Sequence, residues 1–270
     1  RAGSCERHSP GLLSFWRAAV REVRLTKRIE FSAAHRYWRD DWDAARNRAV
    51  FGASANEHGH NYMLEVTVVG AVDPQTGMVV NLYDLKRVLK ELIEEFDHKH
   101  LNLDTPYFTQ GLPTGEHVAG VLWRRLARRR EIGQVERIRL YDGEDGCVDV
   151  TAPDMAAGGQ FPASAGVIRR YILSERSGAG APVAEFFVTV HGPIDPDRGQ
   201  VVDPLALDQL VRDRAVLPLS NGSEARSQGV VTGERLARDI WSRLKGVLPA
   251  GRLRQIRLMQ TPDRWFEFAG

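Results

Sequence analysis

Residues 66–77 read Val-Thr-Val-Val-Gly-Ala-Val-Asp-Pro-Gln-Thr-Gly, and this stretch decides the fold that we predict. Its β-branched start is typical of a strand, and its Asp-Pro-x-x-Gly end has the proline and glycine that a tight turn requires. Residues 188–199 repeat the pattern as Val-Thr-Val-His-Gly-Pro-Ile-Asp-Pro-Asp-Arg-Gly. A repeat of this length predicts two copies of one supersecondary unit.

Further matches extend the repeat in both directions along the chain. They pair Thr114-Gly115-Glu116 with Thr232-Gly233-Glu234, Trp123 with Trp241, and Ile138-Arg139-Leu140 with Ile256-Arg257-Leu258. Each copy is therefore predicted to run strand, strand, turn, helix, a second helix that starts at Thr-Gly-Glu, and two closing strands. Apolar residues at helical spacing from Leu82 to Phe96 predict the first helix, and Thr114 is a good N-cap for the second.

This repeat sets the domain organisation. We expect an N-terminal extension at residues 1–23, a first module at residues 24–151, a linker at residues 152–166 and a second module at residues 167–270. The linker is rich in glycine, alanine and proline, as connecting segments commonly are.

Three histidines in the first module suggest a metal site. His58 and His60 flank Gly59 just before a strand-like run, so they point to one face if the strand extends back through them. His35 ends another strand-like segment, and an antiparallel neighbour brings it to the same place. An isolated His-x-His is more often an ordinary surface or core pair, but a third histidine favours a zinc site with one open position.

The second module lacks these ligands. In the aligned positions stand Ser177, Gly180 and Pro182, and residues 217–221 replace the Asp97-His98 pair of the first module. His191 is a lone histidine beside a turn, for which a structural role is the simplest interpretation. We therefore predict one metal site per chain.

Composition restricts the function classes. The chain has 270 residues and a formal net charge of +2, which gives no reason to invoke nucleic acid. The basic run from Arg124 to Arg130 lies at a predicted helix end, where cations favour the helix dipole. Only Cys5 and Cys147 occur, and no stretch has the apolar length of a membrane span, so we expect a cytoplasmic protein without disulfides or membrane partners.

Four blocks in one order carry a family resemblance from about Arg24 to Val150. They are Phe31-Ser-Ala-Ala-His35-Arg36, His58-Gly-His60-Asn61-Tyr62, Val72-Asp-Pro-Gln-Thr-Gly-Met-Val-Val-Asn-Leu-Tyr-Asp-Leu-Lys86 and Phe96-Asp97-His98-Lys-His-Leu-Asn102. The chain resembles the 6-pyruvoyltetrahydropterin synthase and 6-carboxytetrahydropterin synthase family. Four separate blocks are far more specific than any single motif.

The resemblance implies an α+β tunnelling fold. Each module is then a four-stranded antiparallel sheet with two helices on one face, and several modules join edge to edge into a barrel, which removes exposed edge strands. It also implies a homo-oligomer, and a trimer of two-module chains in place of the family's hexamer is our hypothesis.

The resemblance further implies a zinc-dependent lyase that acts on 7,8-dihydroneopterin triphosphate. The product is a 6-substituted tetrahydropterin, carboxy or pyruvoyl, for pterin cofactor or queuosine biosynthesis. His35, His58 and His60 match the zinc ligands of the family, and Asp97 and His98 match the Asp-His pair that works with its base. A helix-end pair with a favourable cation is the alternative interpretation of Asp97-His98.

Two positions depart from the family pattern. Ser54 stands where the family has its catalytic cysteine, and a free hydroxyl does not supply a base at neutral pH as a thiolate does. Glu57 could substitute, but it neighbours His58 on the predicted strand and should face away from the metal. Asp142 takes the place of the glutamate that holds the pterin, with Gln260 in the second copy.

Thr114 and Glu116 lie in a segment that lines the pterin pocket in the family, although helix-start roles alone would explain both. Two classes of function follow. One is an active lyase, and the other is a pterin-binding protein that keeps its zinc but has lost catalysis with the cysteine. The complete set of histidines with Asp97 and His98 favours the enzyme.

Overall fold

The structure is a computed structural model that describes residues 22–155, 158–174, 184–220, 232–248 and 252–270. Its strands are β1 Glu22–His35, β2 His58–Ala71, β3 Lys99–His100, β4 Gln134–Tyr141, β5 Gly146–Thr151, β6 Ser164–Leu173, β7 Ala184–Pro193, β8 Arg252–Thr261 and β9 Arg264–Phe268. Its α-helices are α1 Ala44–Phe51, α2 Leu82–Ile93, α3 Leu101–Asp104, α4 Gly115–Leu126, α5 Pro204–Val211, α6 Leu217–Ser220 and α7 Gly233–Leu244.

One nine-stranded sheet forms the centre of the fold, in the order β3-β1-β2-β4-β5-β6-β7-β8-β9. The predicted α+β class is confirmed. The sheet is mixed, because the two-residue strand β3 pairs parallel to β1 while every other neighbouring pair is antiparallel. Strands β5 and β6 pair from Gly146 opposite Arg169 to Asp149 opposite Gly166, so the sheet is continuous across the two halves of the chain.

The second half of the chain, residues 164–268, follows the same order of main elements as the first half, residues 22–151. Each half has a β-bulge at the equivalent position of its second strand, between Thr67 and Val68 in β2 and between Thr189 and Val190 in β7. The origin of this similarity in a tandem duplication stays a prediction. Strand β6 begins at Ser164, so the last residues of the predicted linker belong to the sheet.

Helices α2, α4, α5 and α7 bury residues in one hydrophobic core with the sheet. Leu85, Leu89 and Leu92 of α2 are buried against sheet residues such as Leu64 and Val66. Each such side chain contributes about 1.5–3 kcal/mol by leaving water. Thr114 accepts a hydrogen bond from the backbone N–H of His117 at 3.3 Å, which confirms it as the N-cap of α4.

The opposite face of the sheet carries charged pairs. Arg28 contacts Glu65 across β1 and β2, and Arg139 binds Asp149 across β4 and β5 with nitrogen–oxygen distances of 2.6 and 2.7 Å. Glu65 alternates with the buried Leu64 and Val66, as strand geometry requires.

Several predictions lie outside the described residues. These are most of the N-terminal extension with Cys5, and the positions of Ser177, Gly180 and Pro182. Cys147 is a buried free thiol in β5. Within the described ranges, no helix is long and apolar enough to cross a membrane.

Candidate metal centre and ligand pocket

The structure brings the three predicted histidines together. In the antiparallel register of β1 and β2, His35 lies directly opposite His58, and His60 lies two residues further along β2 on the same face. The ring centroid of His35 lies 4.4 Å from that of His58 and 5.1 Å from that of His60. One ligand atom from each residue lies within 4.8 Å of the other two, and no second group of this kind occurs among the described residues.

Backbone carbonyls select the tautomer of each imidazole. The Nδ1 atoms lie 2.7 Å from Pro113 O for His35, 2.9 Å from Asn56 O for His58 and 2.7 Å from Asp142 O for His60. A carbonyl oxygen only accepts, so each Nδ1 carries the proton and each Nε2 keeps a free lone pair. Metal-bound histidines in proteins commonly have this second contact, which sets the orientation of the ring.

This donor set fits zinc. Three neutral imidazoles are a known zinc ligand set that leaves a fourth position open, and Zn–N bonds of about 2.0–2.1 Å require ligand nitrogens about 3.4 Å apart. Burial and, to a lesser degree, the nearby His58 lower the pKa of His35 to about 3. The hydrogen bond to Pro113 opposes this shift, because it raises the pKa. His35 is therefore neutral, as a ligand must be, throughout the physiological range.

Two tyrosines complete the walls of this site and were not among the predicted site residues. The hydroxyl of Tyr62 is 3.4 Å from His35 Nε2, and the ring of Tyr37 meets the ring of His35 edge-on at 5.2 Å. Burial raises the pKa of both hydroxyls, so both stay protonated. The sequence offered a signal for both tyrosines, because each stands two residues after a histidine of the trio: Tyr62 after His60, and Tyr37 after His35.

Ser54 lies in the 3-10 turn Gly52–Ala55 that leads into β2. Its carbonyl accepts a hydrogen bond of 2.8 Å from the backbone N–H of Tyr37, and its side chain is half-buried. The turn is thus tied to Tyr37, two residues after His35 of the trio. Within the described residues, no hydrogen bond joins the Ser54 hydroxyl to Asp97 or His98.

Asp97 and His98 form the predicted pair. His98 Nδ1 is 2.9 Å from Asp97 Oδ2, and the backbone N–H of Ser32 donates to Asp97 Oδ1 at 2.8 Å. This backbone hydrogen bond, followed by the contact with His98, lowers the pKa of Asp97. His98 has a φ of +56° and a side chain that is 82% exposed. A non-glycine residue in that conformation is held there by its surroundings, here the bond from His98 N–H to Ser32 O.

His98 of this pair borders a cavity of about 460 Å³ on the sheet. Its lining residues are Ser32, Ala33, Ala34, Gly59, His60, Asn61, His98, Lys99 and His100. Ser32, Gly59 and Asn61 alternate along their strands with the positions of the histidine trio, so the cavity lies mainly on the opposite face, and of the trio only His60 also borders it. In a single chain, the structure therefore assembles the trio but places His98 across the sheet from it.

Glu57 lies on the same side as His98. Its carboxylate is 65% exposed and lies 3.9 Å from His100 Nε2. His100 pairs with Ala34 in the β1–β3 register, on the face away from the metal ligands. The expectation that Glu57 faces away from the trio agrees with this contact.

The predicted substrate-binding residues flank the trio. Asp142 follows β4 and supplies the carbonyl that holds His60. Glu116, in the first turn of α4, is only 4% exposed, and burial raises its pKa to about 7, with the charge of Asp142 adding to the rise. Gln260 lies in β8, in the second half of the chain.

Thr114 and Glu116 have partners that the sequence did not suggest. Thr114 Oγ1 donates to Gly199 O at 2.6 Å, and Glu116 Oε1 accepts from the backbone N–H of Val201 at 3.0 Å. Both acceptor and donor belong to the second half of the chain, 85 residues away.

Comparisons with known proteins show which family the chain resembles. The family model described as 6-pyruvoyl tetrahydropterin synthase matches residues 24–153. The 6-pyruvoyl tetrahydrobiopterin synthase of Homo sapiens is 38% identical over 130 residues, which cover 47% of this chain and 90% of the human protein. The 6-carboxy-5,6,7,8-tetrahydropterin synthase of Aquifex aeolicus is 35% identical over 143 residues, covering 43% of this chain and 88% of that protein.

Among solved structures, the 6-pyruvoyl tetrahydropterin synthase of Caenorhabditis elegans matches with a TM-score of 0.47 and 28% identity, covering 49% of this chain and 97% of that one. The matches to the human and Aquifex aeolicus proteins cover about nine tenths of the length of those two relatives. On that similarity, the chain belongs to the 6-pyruvoyl tetrahydropterin synthase family.

Proposed function

We propose that this protein is a zinc-dependent lyase that converts 7,8-dihydroneopterin triphosphate into a 6-substituted tetrahydropterin, carboxy or pyruvoyl. The observation that carries the proposal is the convergence of three imidazoles whose Nδ1 atoms are all bound to backbone carbonyls. Three oriented lone pairs form a site for one divalent ion, and the names of the sequence relatives indicate the chemistry.

Zinc held by His35, His58 and His60 would stabilise negative charge that develops on a substrate oxygen. The chain's own residues then bind and orient the ligand. The Asp142 carboxylate suits two parallel N–H donors such as those of a pterin ring. The protonated hydroxyls of Tyr37 and Tyr62 can donate to oxygen atoms beside the metal ligands.

Proton abstraction from carbon needs a base, and here the chain departs from the family pattern. A serine hydroxyl at position 54 is not ionised at neutral pH without a strong partner. Asp97 orients His98, which is exposed on the other face of the sheet and is available there to a second copy of the chain. We propose that His98, positioned by Asp97, takes part in proton transfer, with Ser54 as a polar contact for the substrate.

A second candidate function follows from Ser54. A protein with the metal ligands and the pocket, but without an ionisable group at position 54, would bind a pterin without converting it. The lack of a hydrogen bond from the Ser54 hydroxyl to any carboxylate or imidazole within the described residues favours this alternative.

One experiment separates the two candidates. The zinc-loaded protein is incubated with dihydroneopterin triphosphate while the release of triphosphate and of acetaldehyde is followed. Ser54→Cys restores the thiol, and Ala53→Cys, at an exposed neighbouring position, is the matched control. Release by the native protein supports the lyase. A silent native protein with an active Ser54→Cys variant supports the binding protein, and silence of all three with zinc bound refutes this substrate.

We also propose a homo-oligomer, with the trimer as its specific form. Within the described residues, β3 covers β1 only at Ala33 and Ala34, and β9 has β8 as its one neighbour. These two open edges are suited to pairing between copies, which would remove them. A light-scattering mass of one chain would refute the proposal. If the carboxy product is found, the next test is whether it serves as a precursor in queuosine biosynthesis.

A further inference from the structure

Two turns of nearly identical construction lie in very different surroundings. In the turn of the first half, Gly77 N–H donates to Asp73 O at 2.8 Å, and in that of the second half Gly199 N–H donates to Asp195 O at 2.7 Å. The two glycines have φ values of +70° and +67°. Gly77 is exposed and a Cβ built on it would meet nothing within 4 Å. Gly199 is buried.

The second turn packs against the start of α4, beside the metal centre. We call residues 195–201 the docking turn. A Cβ built on Gly199 would lie 2.9 Å from His117 Cε1, closer than real Cβ contacts come, and 3.2 Å from Thr114 Cγ2, which is tighter than most of them. The glycine is therefore required here both by its backbone conformation and by the close approach of α4.

Two buried hydrogen bonds join the docking turn to the predicted ligand-binding residues. The Thr114 hydroxyl donates to Gly199 O at 2.6 Å, and the Val201 N–H donates to Glu116 Oε1 at 3.0 Å. The first residue caps α4 and the second lies in its first turn. A buried hydrogen bond to a carboxylate limits the rotation of that carboxylate, so the docking turn orients Glu116.

Within the described residues, no turn packs on the equivalent helix start in the second half. Thr232 and Glu234 begin α7 as Thr114 and Glu116 begin α4, but both are exposed. Thr232 still accepts the capping bond from Arg235 N–H, at 3.4 Å. The contact with the docking turn is thus additional to what a Thr-Gly-Glu helix start needs for its own stability.

We propose that the docking turn is a positioning element for the pocket of the first half, in which Gly199 and Val201 hold Thr114 and Glu116 where they contact the ring of the bound ligand. This inference rests on the proposed function, because it takes a pterin-type ring as the ligand. The second half then determines ring affinity although it supplies no metal ligand from its described residues.

The test compares matched pairs of variants. Gly199→Ala disturbs the docking turn, and Gly77→Ala introduces the same methyl group at the same φ in open space. Thr114→Val removes the hydroxyl that binds Gly199 O, and Thr232→Val removes the equivalent cap from α7. Binding of 7,8-dihydroneopterin, which has no triphosphate, is titrated by fluorescence, bound zinc is counted by elemental analysis and circular dichroism checks the fold.

We expect Gly199→Ala to weaken ring binding about tenfold and Thr114→Val about threefold to tenfold, the range that corresponds to one lost hydrogen bond. Gly77→Ala and Thr232→Val should stay within about twofold of the native protein, and all four variants should keep one zinc per chain. If substrate turnover is measurable, KM should rise in Gly199→Ala while kcat changes little, since a positioning contact for the ring acts on binding.

The outcomes are distinct. Equal ring affinity in all four variants refutes the positioning role but leaves the proposed function intact. If Gly199→Ala does not fold, the comparison of ring affinity between Thr114→Val and Thr232→Val tests the positioning role by itself. A native protein that carries zinc but binds no dihydroneopterin refutes the proposed function and the positioning role together.

Discussion

The buried carboxyl of Glu116 predicts a pH-dependent gain in stability when it is replaced by glutamine. Burial raises its pKa from 4.5 to about 7. A carboxyl whose pKa is raised by folding stabilises the protein below its unfolded pKa, and that contribution is lost as the pH rises through the folded value. At alkaline pH the folded protein must keep a charge in a site that is 4% exposed.

The magnitude follows from linkage. With pKa values of 4.5 unfolded and about 7 folded, the native protein loses about 2.5 kcal/mol of unfolding free energy from this group between pH 5 and pH 8.5. Glu116→Gln has no such group, and its amide oxygen can still accept the Val201 N–H. The difference in unfolding free energy between variant and native protein should therefore grow by about this amount over the same range.

The control is Glu234→Gln, at the equivalent position of α7. Glu234 is exposed, and hydrogen bonds from its own backbone N–H and from Thr232 lower its pKa, so it is ionised in both folded and unfolded states above pH 5. Urea unfolding is followed by circular dichroism at pH 5.0, 6.0, 7.0 and 8.5, at one protein concentration and with a chelator present. A pH-independent difference for Glu116→Gln, or an equal slope for Glu234→Gln, would refute the argument from burial.

Three further predictions concern the metal centre and the Asp-His pair. The pKa of His35 is lowered to about 3, so the zinc-free protein should lose about 2.7 kcal/mol of stability as the pH falls from 7.5 to 4.5, and His35→Asn should abolish that loss in urea unfolding. His60→Ala should reduce bound zinc from one per chain to a small fraction by elemental analysis, whereas His191→Ala should keep it; equal zinc in both would argue against the trio. Asp97→Asn should lower kcat at least about tenfold with zinc unchanged, because His98 loses its orienting charge; an unchanged kcat would exclude a role for the pair.

Local rules were sufficient to predict that the three histidines converge. Alternation along a strand places His58 and His60 on one face, and the antiparallel register brings His35 opposite His58. The turn at Asp73 and the cap at Thr114 are equally local, since each depends on residues within five positions. These features need no knowledge of distant contacts.

The remaining features depend on distant parts of the chain. Pro113 O, which selects the tautomer of His35, is 78 residues away, and the partners of Thr114 and Glu116 are 85 residues away. The face on which His98 lies follows from its bond to Ser32 and from the parallel pairing of β3, which spans only two residues. No periodicity in the sequence reports such contacts, because two residues are too few to form a pattern.

Within the part of the chain that the structure describes, the turn of the first half makes no contact like that of the docking turn. The turn at Asp73 is exposed, and it is flanked by Val72 and Met78, which are 43% and 45% exposed.

The exposed start of α7 is the counterpart of the α4 start that the docking turn covers. Among the described residues, one chain therefore presents an exposed turn and an exposed helix start, the two kinds of element that it already joins internally. If the turn at Asp73 of one copy met the α7 start of the next, the internal contact would be repeated between chains. Such a head-to-tail contact forms a closed ring if the rotation between successive copies completes a full turn. Repetition of this contact between copies would give the proposed oligomer a geometric basis.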